Sequence, residues 1–299
     1  MAVKPTLIAT GLSGMIGSRF QEIFGEEFEF VNLDLTAGID ITDPIQVEKV
    51  LNCRPAVVIH LAAFTDVSKA YEEKDNQAGL VYKVNVLGTK NIVAACQKFG
   101  HYLIHISTDF VFDGKNPPAG GYTEADRPKP IEWYGQTKLW AEETVANSGC
   151  RYVIIRTAFP FRAAYAPKED LVRKILNKLK INSLHSMFSD QVITPTFIDD
   201  LCQVLRIFID RKPSGIYHAV GSTSLTPYDL ALKIATVFNL KSEIKPGSFK
   251  EYLKNDPRPR QQYLKMSNAK LKAELGIEMK TIDEALLEMA NQLSLKSLN

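Results

Sequence analysis

Short apolar runs alternate with amphipathic stretches through the first half of the chain. Residues 6–10 form an apolar run that predicts a strand, and 16–24 carry apolar positions at helical spacing. A second strand is predicted at 28–33, just before Asp34, and a helix at 45–51. Residues 56–62 are almost all apolar, as expected for a parallel strand covered on both faces. Helical spacing returns at 81–99, strand character at 102–106, helix at 134–147 and strand at 152–156. Such alternation predicts an α/β fold built on a doubly wound parallel sheet. Right-handed crossovers then bring the strand C-terminal ends to one edge, where ligands bind.

The second half is less regular. Helices are predicted at 168–180, 197–209, 227–238 and 282–293, and a strand at 216–220. The helix at 168–180 is basic, which reads as a solvated face. Residues 241–259 are polar and proline-bearing. No repeat, low-complexity tract or linker divides the chain. The expected organisation is a sheet domain over residues 1–156 and a smaller C-terminal lobe over 157–299, with some segments of the lobe returning to the sheet.

Composition narrows the function classes. Among 299 residues, 36 Lys and Arg against 34 Asp and Glu leave a net charge of +2, so no field for nucleic acid or a membrane surface is expected. No apolar run approaches ~18 residues, the length a transmembrane helix needs. The start, Met1-Ala2-Val3-Lys4-Pro5, leads into a strand without a signal-peptide layout. Cys53, Cys96, Cys150 and Cys202 are scattered, without metal-ligand spacing, and read as reduced thiols of a cytoplasmic protein. His60, His105 and His218 lie on strand-like runs and read as satisfied core residues, His101 and His185 as surface groups. No metal site is expected.

Chemistry enters with the glycines. Gly11-Leu12-Ser13-Gly14-Met15-Ile16-Gly17 lies between a predicted strand and a predicted helix. Such a loop lets backbone approach a pyrophosphate and aims free N–H groups of the helix N-terminus at the anion. A ligand-free glycine turn is the plainer alternative, and the strand and helix on either side oppose it. Asp34 follows Gly14 by about 20 residues, where a carboxylate can accept from adenosine ribose hydroxyls and repel a 2′-phosphate. NAD(H) is therefore favoured, with NADP(H) as the alternative cofactor. Together these mark a Rossmann-like cofactor domain. Asp40 and Ile41 fall where an adenine can be held, and Leu61, Ala62 and Ala63 close the third strand beside the cofactor.

Thr108 ends a strand, and Tyr134 and Lys138 follow four apart on a predicted helix, hence on one face. Tyr134 can exchange a proton beside a nicotinamide if the Lys138 ammonium lowers its pKa. Lys138 would also hold the nicotinamide ribose, and Thr108 the reacting carbonyl oxygen. Alone, a Tyr and a Lys four apart are a common helix face. The glycine loop and the strand-end hydroxyl give the pair its meaning.

Several segments carry a family likeness. They are Leu61-Ala62-Ala63-Phe64-Thr65, Ser107-Thr108-Asp109-Phe110-Val111-Phe112-Asp113-Gly114, Tyr134-Gly135-Gln136-Thr137-Lys138, and Ser189-Asp190-Gln191 leading to Thr194-Pro195-Thr196. Along almost its whole length the chain resembles the extended short-chain dehydrogenase/reductases, and among them the dTDP-4-dehydrorhamnose reductase family. The resemblance implies that Thr108, Tyr134 and Lys138 are catalytic and that Thr65 and Asn85 lie at the cofactor. It implies that Arg258 belongs to the substrate lobe and that the substrate is a nucleotide sugar. A homodimer is compatible with it. Sugar-nucleotide 4,6-dehydratases carry Ser-Thr-Asp-Glu where this chain has Phe110, so its Asp109 lacks the partner base that dehydration needs. The chain departs from the family at Phe159-Pro160-Phe161-Arg162, at Ile193 and at Val67-Ser68-Lys69, positions expected near the sugar, with Phe159 as a substrate contact.

The leading expectation is thus an NAD(P)H-dependent reductase of a 4-keto sugar nucleotide. Two rivals accompany it: a 4-epimerase that retains NAD, and a cofactor-binding partner module. The last follows because the non-catalytic regulatory subunit of methionine adenosyltransferase also resembles this reductase family.

Overall fold

In a computed structural model, which describes residues 4–296, the elements follow the hydrophobic pattern closely. The first half runs β1 (Thr6–Thr10), α1 (Met15–Phe24), β2 (Glu29–Asn32), α2 (Pro44–Leu51), β3 (Val57–His60) and α3 (Val67–Glu72). It continues through α4 (Leu80–Tyr82), a π turn at Lys83–Gly88, α5 (Thr89–Phe99), β4 (Tyr102–Thr108), α6 (Trp133–Ala146) and β5 (Arg151–Thr157). Side-chain caps fix several starts. Asp43 accepts from the N–H of Ile45 at 2.8 Å and precedes Pro44, whose fixed φ suits the first helical position. Gly100, at φ +74°, closes α5 in the left-handed conformation that favours glycine.

Six strands form one sheet in the order β2-β1-β3-β4-β5-β9, where β9 is Gly215–His218. β1 pairs in parallel with β2 and β3, and β3 in parallel with β4. In this register Ile8 stands beside Val58 and Val58 beside Leu103. That row is buried against Val47, Leu51, Ile92 and Cys96 of the flanking helices. The same register sets Thr10 beside His60 and His60 beside His105, a polar row at the C-terminal ends of the strands.

By contact density the chain divides into two units. The first comprises residues 1–112, 127–156 and 202–217; the second comprises 113–126, 157–201 and 218–299. The second unit contains β6 (Pro160–Phe161), α7 (Leu171–Lys180), β7 (Met187–Phe188) and β8 (Thr196–Phe197). α8 (Ile198–Arg211) starts in the second unit and runs on into the first. The second unit then continues with α9 (Pro227–Val237), β10 (Pro246–Gly247), α10 (Phe249–Leu253), α11 (Ala269–Leu275) and α12 (Ile282–Lys296). Its core gathers Phe161, Ile175, Leu176, Phe197, Leu230 and Leu286.

Differences from the sequence expectation have local causes. The helix expected at 81–99 is interrupted by the π turn, inside which Asn85 is buried. The helix expected from 168 starts at Leu171, because Asp170 accepts from the N–H of Arg173 and ends the preceding loop. Its supposedly solvated face is one of two, since Val172, Ile175, Leu176 and Leu179 are buried. α3 and α11 are too short for the pattern to reveal. His101 is a core residue: its Nδ1 accepts from the N–H of Ala56 at 2.9 Å and its Nε2 donates to the Leu51 carbonyl at 2.8 Å. All four cysteines are free, and Cys53 is exposed. Among the described residues no helix is long and apolar enough to cross a membrane.

Leu103 lies at the centre of the buried row and is fully buried. Leu103→Ala should cost about 2–5 kcal/mol, read as a lower urea midpoint at unchanged slope.

Candidate active site

The glycine loop is shaped by two close approaches. At Gly11 φ is +64°, and a Cβ there would stand 2.7 Å from the Ala62 nitrogen. A Cβ at Gly17 would stand 2.6 Å from the Leu12 Cα. Gly14 is the N-cap of α1 and offers no side-chain cap, so no side chain there competes for the first-turn N–H groups. Met15 and Ile16 open that turn and are half-buried.

Asp34 is drawn into this loop. One carboxylate oxygen accepts from the backbone N–H and the hydroxyl of Ser13, both at 3.1 Å. The other accepts from the N–H of Thr36 at 2.9 Å and from its hydroxyl. Burial acts to raise its pKa, but the hydrogen bonds from Thr36 and Ser13 outweigh it and hold the carboxyl below its usual range. The expected ribose acceptor is therefore ionised, yet already supplied with protein donors.

The other expected cofactor residues separate into two groups. Leu61, Ala62 and Ala63 leave the end of β3 half-buried, and Thr65 is exposed. The Ala62 N–H donates to the Thr10 hydroxyl at 3.0 Å, which ties this turn to the end of β1. Asp40 accepts from the N–H and hydroxyl of Thr42, both at 2.8 Å, and Ile41 is buried in the sheet core. The Asn85 amide is engaged within the protein: it accepts from the N–H of Phe64 at 2.7 Å and donates to the Thr137 hydroxyl at 3.0 Å.

Thr108, Tyr134 and Lys138 are brought together, and all three are buried. Thr108 is the last residue of β4, and its hydroxyl donates to the Asp109 carboxylate at 3.1 Å and interacts with the Tyr134 phenol. Lys138 donates from Nζ to the Ile106 carbonyl at 2.7 Å. Burial pulls its ammonium down to about 8, against the opposing pull of Glu142. The expectation that Lys138 lowers the Tyr134 pKa does not hold for the protein alone. Burial, followed by the Glu132 and Asp109 charges, raises the phenol above its usual range.

Glu132 had no signal in the sequence beyond its place before a helix. It caps α6, accepting from the N–H of Tyr134 at 3.0 Å and of Gly135 at 2.5 Å. Gly135 is required there, because a Cβ would meet the Phe110 carbonyl oxygen at 2.2 Å. Burial pushes both Glu132 and Asp109 up to about 7. Phe110 packs edge-on against the Tyr134 ring at 5.7 Å, so the position that would hold a dehydratase base is apolar packing.

Of the expected substrate residues, Thr108 lies in the first unit, and Phe159 and Arg258 lie in the second. Phe159 adopts φ +41°, a strained conformation for a bulky residue, and is half-buried. Arg258 is clamped by Asp256 through Nε at 3.1 Å and an Nη at 3.2 Å, and Asp256 also accepts from Arg260. Phe161 and Ile193, expected near a sugar, are instead core residues of this unit.

Comparison with known proteins follows this geometry. The RmlD substrate binding domain family matches residues 5–295. The chain belongs to that family. A dTDP-4-dehydrorhamnose reductase of Bacillus anthracis str. Ames, solved in complex with NADP, is 30% identical. It superposes with a TM-score of 0.88, covering 97% of this chain and all (100%) of that one. Another of that description, from Clostridium acetobutylicum ATCC 824, is 33% identical with a TM-score of 0.85, covering 97% of this chain and 99% of that one. Methionine adenosyltransferase 2 subunit beta of Pongo abelii is 29% identical over 298 residues, 92% of this chain and 84% of the relative. The family thus includes oxidoreductases and is also similar to a protein named as a subunit.

Within this RmlD-family site, Asp109 gives a stability prediction with a definite sign. Its carboxyl is fully buried, one oxygen has no partner among the described residues, and its folded pKa stands above its unfolded one. The unfolded chain therefore binds fewer protons between about pH 4 and pH 7, and stability falls as pH rises through that window. Asp109→Asn should remove this slope, so its melting temperature relative to the parent should be higher at pH 8 than at pH 5. Parallel melting curves at both pH values would show that Asp109 does not titrate in that window.

Proposed function

We propose that this protein is an NAD(P)H-dependent reductase of a 4-keto sugar nucleotide. The observation that carries the reading is the buried constellation at the end of β4, with the Thr108 hydroxyl, Tyr134 phenol and Lys138 ammonium grouped together. The relatives named as dTDP-4-dehydrorhamnose reductases, at 30% and 33% identity, support the substrate class.

The residues fit a dinucleotide. A side chain at Gly11 would collide with the Ala62 backbone, which is what a loop that admits a pyrophosphate requires. Gly11, Ser13, Gly14, Met15, Ile16 and Gly17 would hold the pyrophosphate, and Lys138 the nicotinamide ribose, with the Tyr134 ring packed beside it. Ala62, Ala63 and Thr65 would border the cofactor. Asp34 would act on the adenosine side chiefly as a fixed negative charge, which favours NAD(H) over NADP(H). When bound, the reduced nicotinamide supplies the hydride.

The chain's own residues do the rest. Thr108 turns its hydroxyl proton from Asp109 to the ketone oxygen and aligns it. Tyr134 delivers its proton to that oxygen as the carbonyl carbon is reduced, and a phenol whose pKa is raised in the free protein is held protonated for the task. Lys138 stabilises the phenolate left behind. Phe110 supplies no base, so the product is an alcohol and not a dehydrated sugar. Phe159 and Arg258 would contact the substrate, Arg258 as a guanidinium whose remaining donors suit a diphosphate.

The similarity to methionine adenosyltransferase 2 subunit beta favours one second reading, a partner module that binds the cofactor without turnover. Oxidation of NADH and NADPH across a panel of 4-keto sugar nucleotides separates the two. Tyr134→Phe should lower kcat by about 10²–10⁴-fold and leave NADH affinity nearly unchanged. If no ketone is reduced and Tyr134→Phe leaves partner binding intact, the module reading takes over. Asp34→Ala should weaken NAD(H) more than NADP(H), measured as separate dissociation constants; equal losses would remove Asp34 from cofactor choice.

A further inference from the structure

Behind Lys138 the fold buries a second pair of charges that the proposed reaction does not use. Glu142 lies one helical turn after Lys138 on α6, so the two share a face. Its carboxylate is held by Arg156 of β5 through two parallel bonds, Nε to Oε1 at 2.9 Å and Nη2 to Oε2 at 2.7 Å. Both side chains are buried, with 2% and 4% of their surface exposed. The guanidinium in turn lies over the Phe112 ring, 5.1 Å from its centroid. The row reads ammonium, carboxylate, guanidinium, with no solvent to screen it.

Such a pair is costly if its only task is to join α6 to β5, because apolar residues of similar volume fill such a space as well or better. Its placement gives it another. Lys138 is pulled toward its neutral form by burial, and Glu142 is the charge that opposes this. The other ionisable groups facing the ammonium do not help. His60 and His105 are buried on β3 and β4, and burial keeps both neutral, with Lys138 adding to the effect.

We propose that Glu142, oriented by Arg156, is a positioning residue that keeps Lys138 protonated at neutral pH. This rests on the reductase reading in one respect only, that Lys138 holds the cofactor. Arg156 has a double effect: it fixes the carboxylate and it offsets part of its charge. Removing each charge should therefore move the Lys138 titration in opposite directions.

The test is NADH affinity, measured by fluorescence from pH 6 to pH 10, together with the pH profile of kcat/KM. Glu142→Gln keeps a hydrogen-bonding partner for Arg156 but deletes the charge. Its alkaline limb should move down by about one pH unit, so that affinity falls roughly eightfold at pH 8.5 and less than about twofold at pH 6. Arg156→Gln should move the limb up. Asp109 and Glu132, which burial raises, are kept in both variants, so each limb is read against that of the parent. A loss by the same factor at every pH, or shifts of the same sign in both variants, would assign the pair to structure alone. Should Glu142→Gln fail to fold, the sign for Arg156→Gln decides. If the parent binds NADH but reduces no sugar nucleotide, the substrate reading fails while the charge test still stands. If the parent binds no nicotinamide nucleotide at any pH, both fail.

Discussion

An ammonium buried beside the strand ends organises this corner of the protein. Lys138 is almost wholly withdrawn from water, and its Nζ is fixed on the Ile106 carbonyl. A buried cation of this kind tends to lose its proton unless the surroundings oppose it. Here a carboxylate lies one turn behind it, and that carboxylate has its own guanidinium partner. The arrangement in turn fixes where α6 sits against β4, and so where Tyr134 and Thr108 meet.

A second set of polar contacts carries that placement back to the glycine loop. The Thr89 hydroxyl donates to the Asn85 carbonyl, so it accepts from His60 Nε2, and His60 Nδ1 must accept from Thr10. The neutral tautomer of His60 is thereby defined. Thr10 also accepts from the N–H of Ala62, and the Asn85 amide donates to Thr137, whose hydroxyl donates to the Tyr134 carbonyl. Every donor in this chain has an acceptor, from the end of β1 to the first turn of α6. The π turn makes it work, because it is the segment that carries Asn85 between Phe64 and Thr137. Buried polar chains that are fully satisfied hold a unique arrangement, whereas partly satisfied ones weaken it.

The sheet was legible because its signals are local. Short apolar runs identify β1, β3 and β4, and helical spacing identifies α1, α5 and α6. The Tyr134 and Lys138 pair was legible for the same reason, as a spacing on one helix. Contacts distant in sequence left no trace. Nothing in the pattern around Glu142 reveals Arg156, and nothing around Asp34 reveals that Ser13 and Thr36 take up its oxygens. Histidines on strands read alike, yet His60 is fully hydrogen-bonded while both ring nitrogens of His105 have no partner among the described residues. Phe161 and Ile193 were misplaced because an apolar residue in a loop-rich segment looks the same whether it lines a pocket or fills a core.

The contrast between satisfied and strained groups separates scaffold from chemistry. Arg156 and Glu142 are buried with paired bonds on both sides, the form in which a protein tolerates charge in its interior. Asp109, Glu132 and Lys138 are different: burial displaces each toward its neutral form and brings each near a physiological pKa. Each displacement lowers stability at some pH; Asp109 and Glu132 act on the Tyr134 phenol, and Lys138 lies one turn further along the same helix. A fold maximised for stability would place apolar residues there. Groups displaced in this way gather where a protein does chemistry, because reactive sites hold titratable side chains away from their ordinary pKa values. The displaced groups therefore mark, independently of any spacing in the sequence, the neighbourhood of Thr108 and Tyr134, the pair proposed to carry the chemistry.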